Sequence, residues 1–247
     1  MGHRARCTNQ NLAITEIEKQ MKEDCMNKRK DVKAIMIGDF KMKFEPMSSR
    51  ETTLDHYGNR GVSWHGFCVI FYLCKTVPGD NNETMEEPIR YTVYLNQLLS
   101  DSNKQDSLSV LSLLDATMSQ IHKELPFISK IVLQTDNAKS YRNNFLLCSI
   151  SLFNFVYKQK SLSIVEFLHT ETQDGKTILD AFVARCMKFA NDYMVVQDTN
   201  KVKRIGTTVE LGKALSHNGG MQNTMIQVVA TNKDHTSKIE IKFDDVI

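Results

Sequence analysis

The spacing of apolar residues changes twice along the chain. Residues 10–30 carry a thin apolar stripe among Lys and Glu residues, which predicts a polar N-terminal helix. From Ala34 the apolar residues form a continuous run, and after Gly38 they alternate with charged residues as far as Glu45. This change of period predicts one long strand that is buried at its start and half-exposed towards its end.

Strand and helix patterns alternate over the rest of the chain. Two further strands are predicted directly after the first, and later segments alternate between helical and strand periodicity. The order β-β-β-α-β-α-β-α predicts a mixed five-stranded sheet flanked by helices. The later elements are strands at 62–74, 89–95, 131–133, 162–168 and 225–230, and helices at 107–125, 138–157, 175–194 and 209–215.

Three segments are predicted along the chain. Residues 1–30 form a polar helical segment, residues 31–196 a single α/β domain, and residues 197–247 a small C-terminal appendage. The last residues end without any helix or strand stop signal. We therefore expect the chain to be a piece of a longer protein.

Composition narrows the class of protein. The 247 residues are 41% hydrophobic and 24% charged, with only 4 Pro and 11 Gly, which excludes collagen-like and disordered chains. The net charge of +2 gives no overall electrostatic attraction to nucleic acid, so such binding would need a local basic patch. None of the six cysteines forms a C-x-x-C pair and most lie in apolar runs, which predicts reduced, buried thiols. We expect a protein of the nucleus or cytoplasm that is not secreted and has no membrane partner.

Three aspartates occupy positions that suit metal chemistry. Asp39 lies inside the first strand, Asp136 follows the fourth strand, and Asp180 lies in the first turns of the last long helix. Converging carboxylates repel one another unless cations neutralise them, and oxygen ligands select Mg²⁺ or Mn²⁺. Two such ions would activate water and stabilise the leaving oxygen of a phosphodiester. Taken singly, each aspartate is also explained as a cap, a turn residue or a surface charge.

Several segments resemble integrases and transposases. Residues 134–138, Gln-Thr-Asp-Asn-Ala, are similar to the signature at the second acid of retroviral integrases. Residues 38–43, 57–66 and 175–181 resemble transposase-derived proteins of eukaryotic genomes. Together with the element order, over residues 33–195, they resemble the ribonuclease H-like fold of integrases and DDE/D transposases. The resemblance implies a ribonuclease H-like α/β fold in which the strands that carry the first two acids are neighbours.

The resemblance also implies a site and a reaction. Asp39, Asp136 and Asp180 become the catalytic triad that binds two Mg²⁺ or Mn²⁺ ions, and the reaction is cleavage and strand transfer of DNA. Integrases have Glu as the third acid, whereas the candidates here are Asp180, Asp174 and Glu171. Helix register favours Asp180, because the other two precede the helix. DNA is the expected partner, with homo-oligomers as a further expectation.

The sequence also fits a second function. The chain shows no DNA-end-binding module, which would also suit a catalytically inactive, domesticated domain that binds DNA or protein. A local basic rim around the site would serve either function. Its candidate residues flank the three aspartates in sequence: Lys41, Lys43, Arg60, Lys139, Arg142 and Lys176.

Other motifs give weaker evidence of a function. Gly175-Lys176-Thr177 precedes a helix, but a phosphate-binding P-loop needs glycine where Thr170 stands. His65 and His169 either pack within the sheet or reach the metal site. We expect Tyr141 to pack in the core.

Overall fold

The computed structural model describes residues 2–45, 47–48, 61–78, 84–100, 104–158, 161–170, 178–195 and 204–231. These residues form a mixed α/β structure, as the sequence predicts. In the described part of the chain, no helix is both long and apolar enough to cross a membrane. The helices are α1 Gly2–Met26, α2 Ser107–Glu124, α3 Asn144–Lys158, α4 Ile178–Val195 and α5 Thr208–Ser216; the strands are β1 Val32–Phe44, β2 Met47–Ser48, β3 Val62–Pro78, β4 Thr84–Leu99, β5 Ile128–Thr135, β6 Ser163–His169, β7 Arg204–Ile205 and β8 Thr224–Val229.

The main sheet has six strands instead of the predicted five. Its order is β6-β5-β1-β3-β4-β8, and β2 and β7 form a separate antiparallel pair. The additional strand is β8, which pairs in parallel with β4 from Tyr94↔Thr224 to Leu99↔Val229. The prediction of five strands was wrong because β8 meets a strand far away in sequence, and local periodicity carries no information on such pairing.

The chain divides into two compact units. The first unit comprises residues 1–37, 68–93 and 118–174, and the second comprises residues 38–67, 94–117 and 175–247.

In the first unit, β5 and β6 pair in parallel and α3 packs against β6. The Asn154 side chain of α3 donates to Ile164 O and accepts from Ile164 N, both at 2.8 Å. One side-chain amide therefore satisfies both backbone groups of Ile164 in an edge strand of the sheet.

Helix α3 begins at Asn144, so the predicted start at Ala138 was wrong. The Asn143 side chain accepts from Leu146 N at 2.8 Å, which is the interaction of a helix N-cap. The preceding residues form a turn in which Arg142 N donates to Ala138 O. Tyr141, in this turn, is buried as expected.

The expectation of reduced thiols is wrong for two cysteines. Cys25 of α1 and Cys74 of β3 form a disulfide, with their Cα atoms 5.9 Å apart. Cys68 and Cys186 are free and buried, as predicted, whereas Cys148 is free and exposed. The two cysteines are 49 residues apart in the sequence, so no local spacing motif predicts their contact.

In the second unit, polar side chains are buried on both sides of β4. Asn96 accepts from Trp64 Nε1 at 2.9 Å, and its amide lies 3.4 Å from Cys186 Sγ. Next to it, Gln97 Nε2 lies 2.8 Å from the side-chain oxygens of Thr117 and Gln227 and from a backbone oxygen of α2. The fully buried His65 also has a side-chain hydrogen bond with Gln97. We call His65, Gln97, Thr117 and Gln227 the Gln97 cluster.

Helix α2 begins as the sequence predicts. Asp106 accepts from Ser109 N at 2.9 Å, which satisfies a backbone donor of the first turn. This hydrogen bond is also the main reason why the pKa of Asp106 is lowered. Helix α5 begins with a capping box in which Thr207 and Glu210 bond to each other's backbone N–H groups.

Candidate functional site

The carboxyl ends of the parallel strands β5 and β6 bring four polar residues together. Their register pairs Thr135 with His169, so the residues that follow each strand are also adjacent. Thr170 N donates to Thr135 O at 2.8 Å, which extends the pairing one residue beyond β6. We call Thr135, Asp136, His169 and Thr170 the strand-end cluster. Open α/β sheets bind ligands at this edge, outside the carboxyl ends of their strands.

The backbone oxygen of Asp136 organises the strand-end cluster. Thr135 Oγ1 donates to it at 3.1 Å, and His169 Nδ1 lies 3.3 Å from it and 3.2 Å from Thr135 Oγ1. A carbonyl oxygen only accepts, so a hydrogen bond from Nδ1 requires the proton on that nitrogen. In the neutral imidazole the lone pair is then on Nε2, the form in which histidine binds a metal or accepts a proton.

The carboxylate of Asp136 is held by its own turn. Its Oδ1 accepts from Ala138 N at 3.1 Å, an Asx-type interaction that orients the side chain. Asp136 is half-buried, whereas the neighbouring Thr135 is almost fully buried. The carboxylate thus lies at a boundary between the buried sheet and solvent, supported by backbone groups.

Asp39 lies in β1 and is half-buried. The residue before it, Gly38, is buried, and a Cβ atom there would overlap the ring of Phe67. Glycine is therefore required at this point by the close approach of an aromatic side chain. The glycine before Asp39 is thus explained by packing.

Asp180 lies in the first turn of α4 and is exposed. An acidic residue in the first turn of a helix interacts favourably with the helix dipole. The neighbouring Leu179 is buried, as the predicted apolar stripe requires. The other candidates for the third acid, Asp174 and Glu171, lie outside the described residues.

These aspartates have the donor atoms that Mg²⁺ and Mn²⁺ prefer, because carboxylate oxygens are hard ligands. Asp39 and Asp180 belong to the second unit and Asp136 to the first. Among the residues that the structure describes, no group of three or more His, Cys, Asp or Glu side chains is assembled for a metal ion.

The predicted basic rim is only partly described. Lys43, Lys139 and Arg142 are exposed, and the latter two lie in the turn after Asp136. Lys41 is half-buried, with its Nζ 4.8 Å from the ring centre of Trp64, and burial lowers its pKa. Such a contact is a cation–π interaction within the protein. Arg60 and Lys176 lie outside the described residues.

The two histidines differ in environment. His65 is fully buried, with its ring 4.7 Å from Phe40 and 4.4 Å from Phe67. Burial lowers its pKa to about 3, against the opposing effect of a hydrogen bond with Gln97. His169 is only half-buried and lies in the strand-end cluster. The sequence did not decide whether either histidine packs in the sheet or reaches the site. A signal for His169 was its position at the end of a predicted strand.

Residues 18–246 match a family described as a domain of unknown function, DUF8701. The chain belongs to the DUF8701 family. No curated protein matches the sequence significantly. The matched range includes both units' strands and all three candidate aspartates, so the site above is a feature of a DUF8701 domain.

Proposed function

We propose that this DUF8701 chain is a transposase-like core with a ribonuclease H-like fold that cleaves DNA phosphodiesters and transfers strands with the help of divalent metal ions. The observation that carries the proposal is the strand-end cluster, in which part-buried hydrogen bonds to the backbone oxygen and the carboxylate of Asp136 hold this residue after the carboxyl end of β5. Open α/β sheets place their ligands at such an edge.

The strand order supports the same proposal. The sequence resemblance implies that the strands with the first two acids are neighbours, and β1 and β5 are neighbours in the sheet. The strands β1, β3 and β4 also lie in succession, as expected for three strands that follow one another along the chain. These neighbour relations support the proposed fold, and β8 is a sixth strand beyond the five that the sequence predicts.

In the proposed reaction, the carboxylates of Asp39, Asp136 and Asp180 would hold Mg²⁺ or Mn²⁺. Such ions would activate water and neutralise charge on the phosphate. Thr135 and His169 position Asp136 by holding its backbone oxygen. Lys139 and Arg142 in the following turn contact the DNA backbone. Since like charges repel, the three carboxylates have no reason to converge before metal is added.

Two steps follow from this arrangement. Water attacks the phosphorus of one strand, a new P–O bond forms, and the bond to the 3′ oxygen breaks, which leaves a 3′-hydroxyl and a 5′-phosphate. That hydroxyl then attacks a second phosphodiester and displaces its 3′ oxygen. In both steps the residues act by orienting groups in line for displacement.

The direct test is nicking of supercoiled plasmid by the full chain with and without Mg²⁺. We expect Mg²⁺-dependent nicking that is lost in Asp136→Asn and in Asp39→Asn. Asp192→Asn is a matched control, because Asp192 is an exposed aspartate of α4 outside the proposed site. Nicking that is equal in the Asp136→Asn variant would contradict the proposal.

The third acid needs a second measurement. Mg²⁺ that binds only the folded protein stabilises it and so raises its melting temperature. The gain in the free energy of unfolding is about 2.7 kcal/mol when the Mg²⁺ concentration is a hundred times the dissociation constant. We expect Asp180→Asn to abolish this shift and Asp174→Asn to retain it. DNA binding that needs no metal and survives Asp136→Asn, without any nicking, would favour an inactive domesticated domain instead.

A further inference from the structure

Helix α3 presents a stripe of exposed apolar side chains. We call Phe145, Cys148, Leu152, Phe155 and Val156 the α3 stripe. Phe155 is 74% exposed and Leu152 is 68% exposed, and the other three residues are also exposed. At 100° per residue these five positions lie within an arc of about 100° on the helix surface. Their spacing therefore makes one continuous face about 16 Å long.

The opposite face of the same helix is already used. Leu146, Ile150 and Tyr157 are buried, and α3 packs against β6. A helix at the surface of a protein normally has one apolar face, and a helix that is apolar on both sides is normally buried. The α3 stripe is therefore an apolar face in excess of what the packing against β6 requires.

Charge restricts what can bind this face. The helix sequence NFLLCSISLFNFVYK contains one charged residue, Lys158 at its last position. A strongly charged partner would lose the solvation of its charges without finding opposite charges on the stripe. A second copy of the same face is uncharged and apolar, so it meets no such penalty.

The size of the stripe also suits a second copy. Its exposed side chains offer on the order of 600 Å² of mostly apolar surface, at the upper end of what a typical monomer exposes in one patch. A stable interface takes about 800 Å² from each partner, so the α3 stripe would form the greater part of such an interface.

The neighbouring sheet edge is blocked near the start of β6. Both backbone groups of Ile164 in the edge strand β6 are bonded to Asn154. An additional strand would have to displace these two hydrogen bonds. Strand addition at this end of β6 is therefore disfavoured.

We propose that the chain forms a homodimer in which the α3 stripe of one copy packs against the α3 stripe of the second copy. The interface is isologous, so each residue of the stripe is used twice. This proposal is independent of the proposed catalytic function, because the stripe and the three aspartates share no residue.

Analytical ultracentrifugation of the full chain over a wide range of concentration tests the proposal. We expect a species of twice the 28.3 kDa chain mass. The double variant Leu152→Glu and Phe155→Glu should weaken dimerisation at least about 100-fold, because it buries four carboxylates in an apolar contact. Circular dichroism should be unchanged, since both positions are exposed in the monomer.

A control variant matches the change in charge. Leu108→Glu with Val209→Glu also replaces two exposed apolar residues of helices, in α2 and α5. We expect this variant to dimerise like the wild-type protein. Equal weakening by both double variants would show that charge alone causes the effect and would overturn the proposal.

Mixing of oppositely charged variants identifies the occupant of the stripe. A variant with Leu152→Lys and Phe155→Lys should be monomeric alone and should associate with the Glu variant when the two are mixed. A different protein or another segment of the chain on the stripe would not produce this rescue. A wild-type chain that is monomeric at all concentrations, or a Glu variant that still dimerises, would overturn the proposal.

Discussion

The Gln97 cluster of the second unit and the strand-end cluster of the first unit are both groups of hydrogen-bonded polar residues, but they differ in what they hold. Gln97 Nε2 lies within 2.8 Å of three oxygens, all of them buried or half-buried in the protein. In the strand-end cluster the hydrogen bonds converge on a backbone oxygen and orient a half-buried carboxylate. The first arrangement pairs polar groups inside the protein, whereas under the proposed function the second orients a carboxylate towards a ligand. Mutations in the Gln97 cluster should therefore change mainly the stability of the protein, and mutations in the strand-end cluster should change mainly its response to metal ions.

The largest expected effect is the response of the Gln97 cluster to acid. The pKa of His65 is lowered from 6.5 to about 3, so the unfolded state binds more protons between these two values. The contribution of His65 to stability is therefore fully present above pH 6.5 and decreases as the pH falls towards 3. Between pH 6.5 and about pH 4 we expect a loss of about 3 kcal/mol in the free energy of unfolding, measured by urea denaturation.

A variant that does not titrate tests the origin of this loss. His65→Gln should be less stable at neutral pH but should lack most of the decrease between pH 6.5 and 4. His122→Gln, a change at a half-buried histidine of α2, should retain it. The same pH dependence in His65→Gln would mean that another group is responsible.

The next effect is the loss of the central amide. Gln97→Leu removes the amide that lies 2.8 Å from the buried Thr117 hydroxyl oxygen and from the half-buried Gln227 side-chain oxygen, so we expect a decrease of about 2–3 kcal/mol in the free energy of unfolding. Gln105→Leu is the matched control, because Gln105 is exposed and donates to a single backbone oxygen, that of Lys41. A loss in Gln97→Leu no larger than in the control would contradict a stabilising role of the cluster.

A smaller effect on stability, with a larger effect on metal response, is expected in the strand-end cluster. Thr135→Val removes the hydroxyl that donates to Asp136 O and should decrease stability by about 1 kcal/mol. Under the proposed function it should also reduce the Mg²⁺-dependent increase in melting temperature. Thr117→Val makes the same chemical change in the Gln97 cluster and should leave the Mg²⁺ response intact. Equal Mg²⁺ responses in the two variants would remove the distinction between the clusters.

The smallest effect concerns a helix cap outside both clusters. The pKa of Asp106 is lowered chiefly by the hydrogen bond from Ser109 N. Its carboxylate therefore stabilises the fold above pH 3.8, and this contribution is lost as the pH falls through the lower, folded pKa. Asp106→Asn retains a cap without the charge, so we expect a difference below about 1 kcal/mol at pH 5 that disappears in stronger acid. Asp115→Asn makes the same chemical change in the middle of α2, outside the cap, and is the control.

Elements with a strong local signal could be predicted from the sequence. Helix α2 begins next to Asp106 as expected, because an aspartate before an apolar helical stripe is a local feature. The stripe of α4 and the burial of Leu179 follow from the same periodicity. The late start of α3 was harder to predict, because Asn137 and Asn143 are both suitable N-cap residues, and it is the Asn143 side chain that accepts the hydrogen bond of the first turn.

Features that join distant parts of the chain could not be predicted. The pairing of β8 with β4 and the Cys25–Cys74 disulfide depend on the tertiary structure, and neither has a spacing motif. The proximity of His169 to Asp136 depends on the register of β5 with β6, which includes a shift between Ile131 and Val132. The identity of the third acid stays a prediction, because two of its candidates lie outside the described residues.

The environment of Trp64 has a practical consequence for studies of unfolding in solution. It is the only tryptophan in the sequence, and it is fully buried in the second unit. Fluorescence excited selectively at tryptophan therefore reports on the surroundings of a single residue in that unit. The far-ultraviolet circular dichroism signal, in contrast, arises from helices in both units. Coincident transitions by the two probes would show that the units unfold together, and separate transitions would show that each has its own stability.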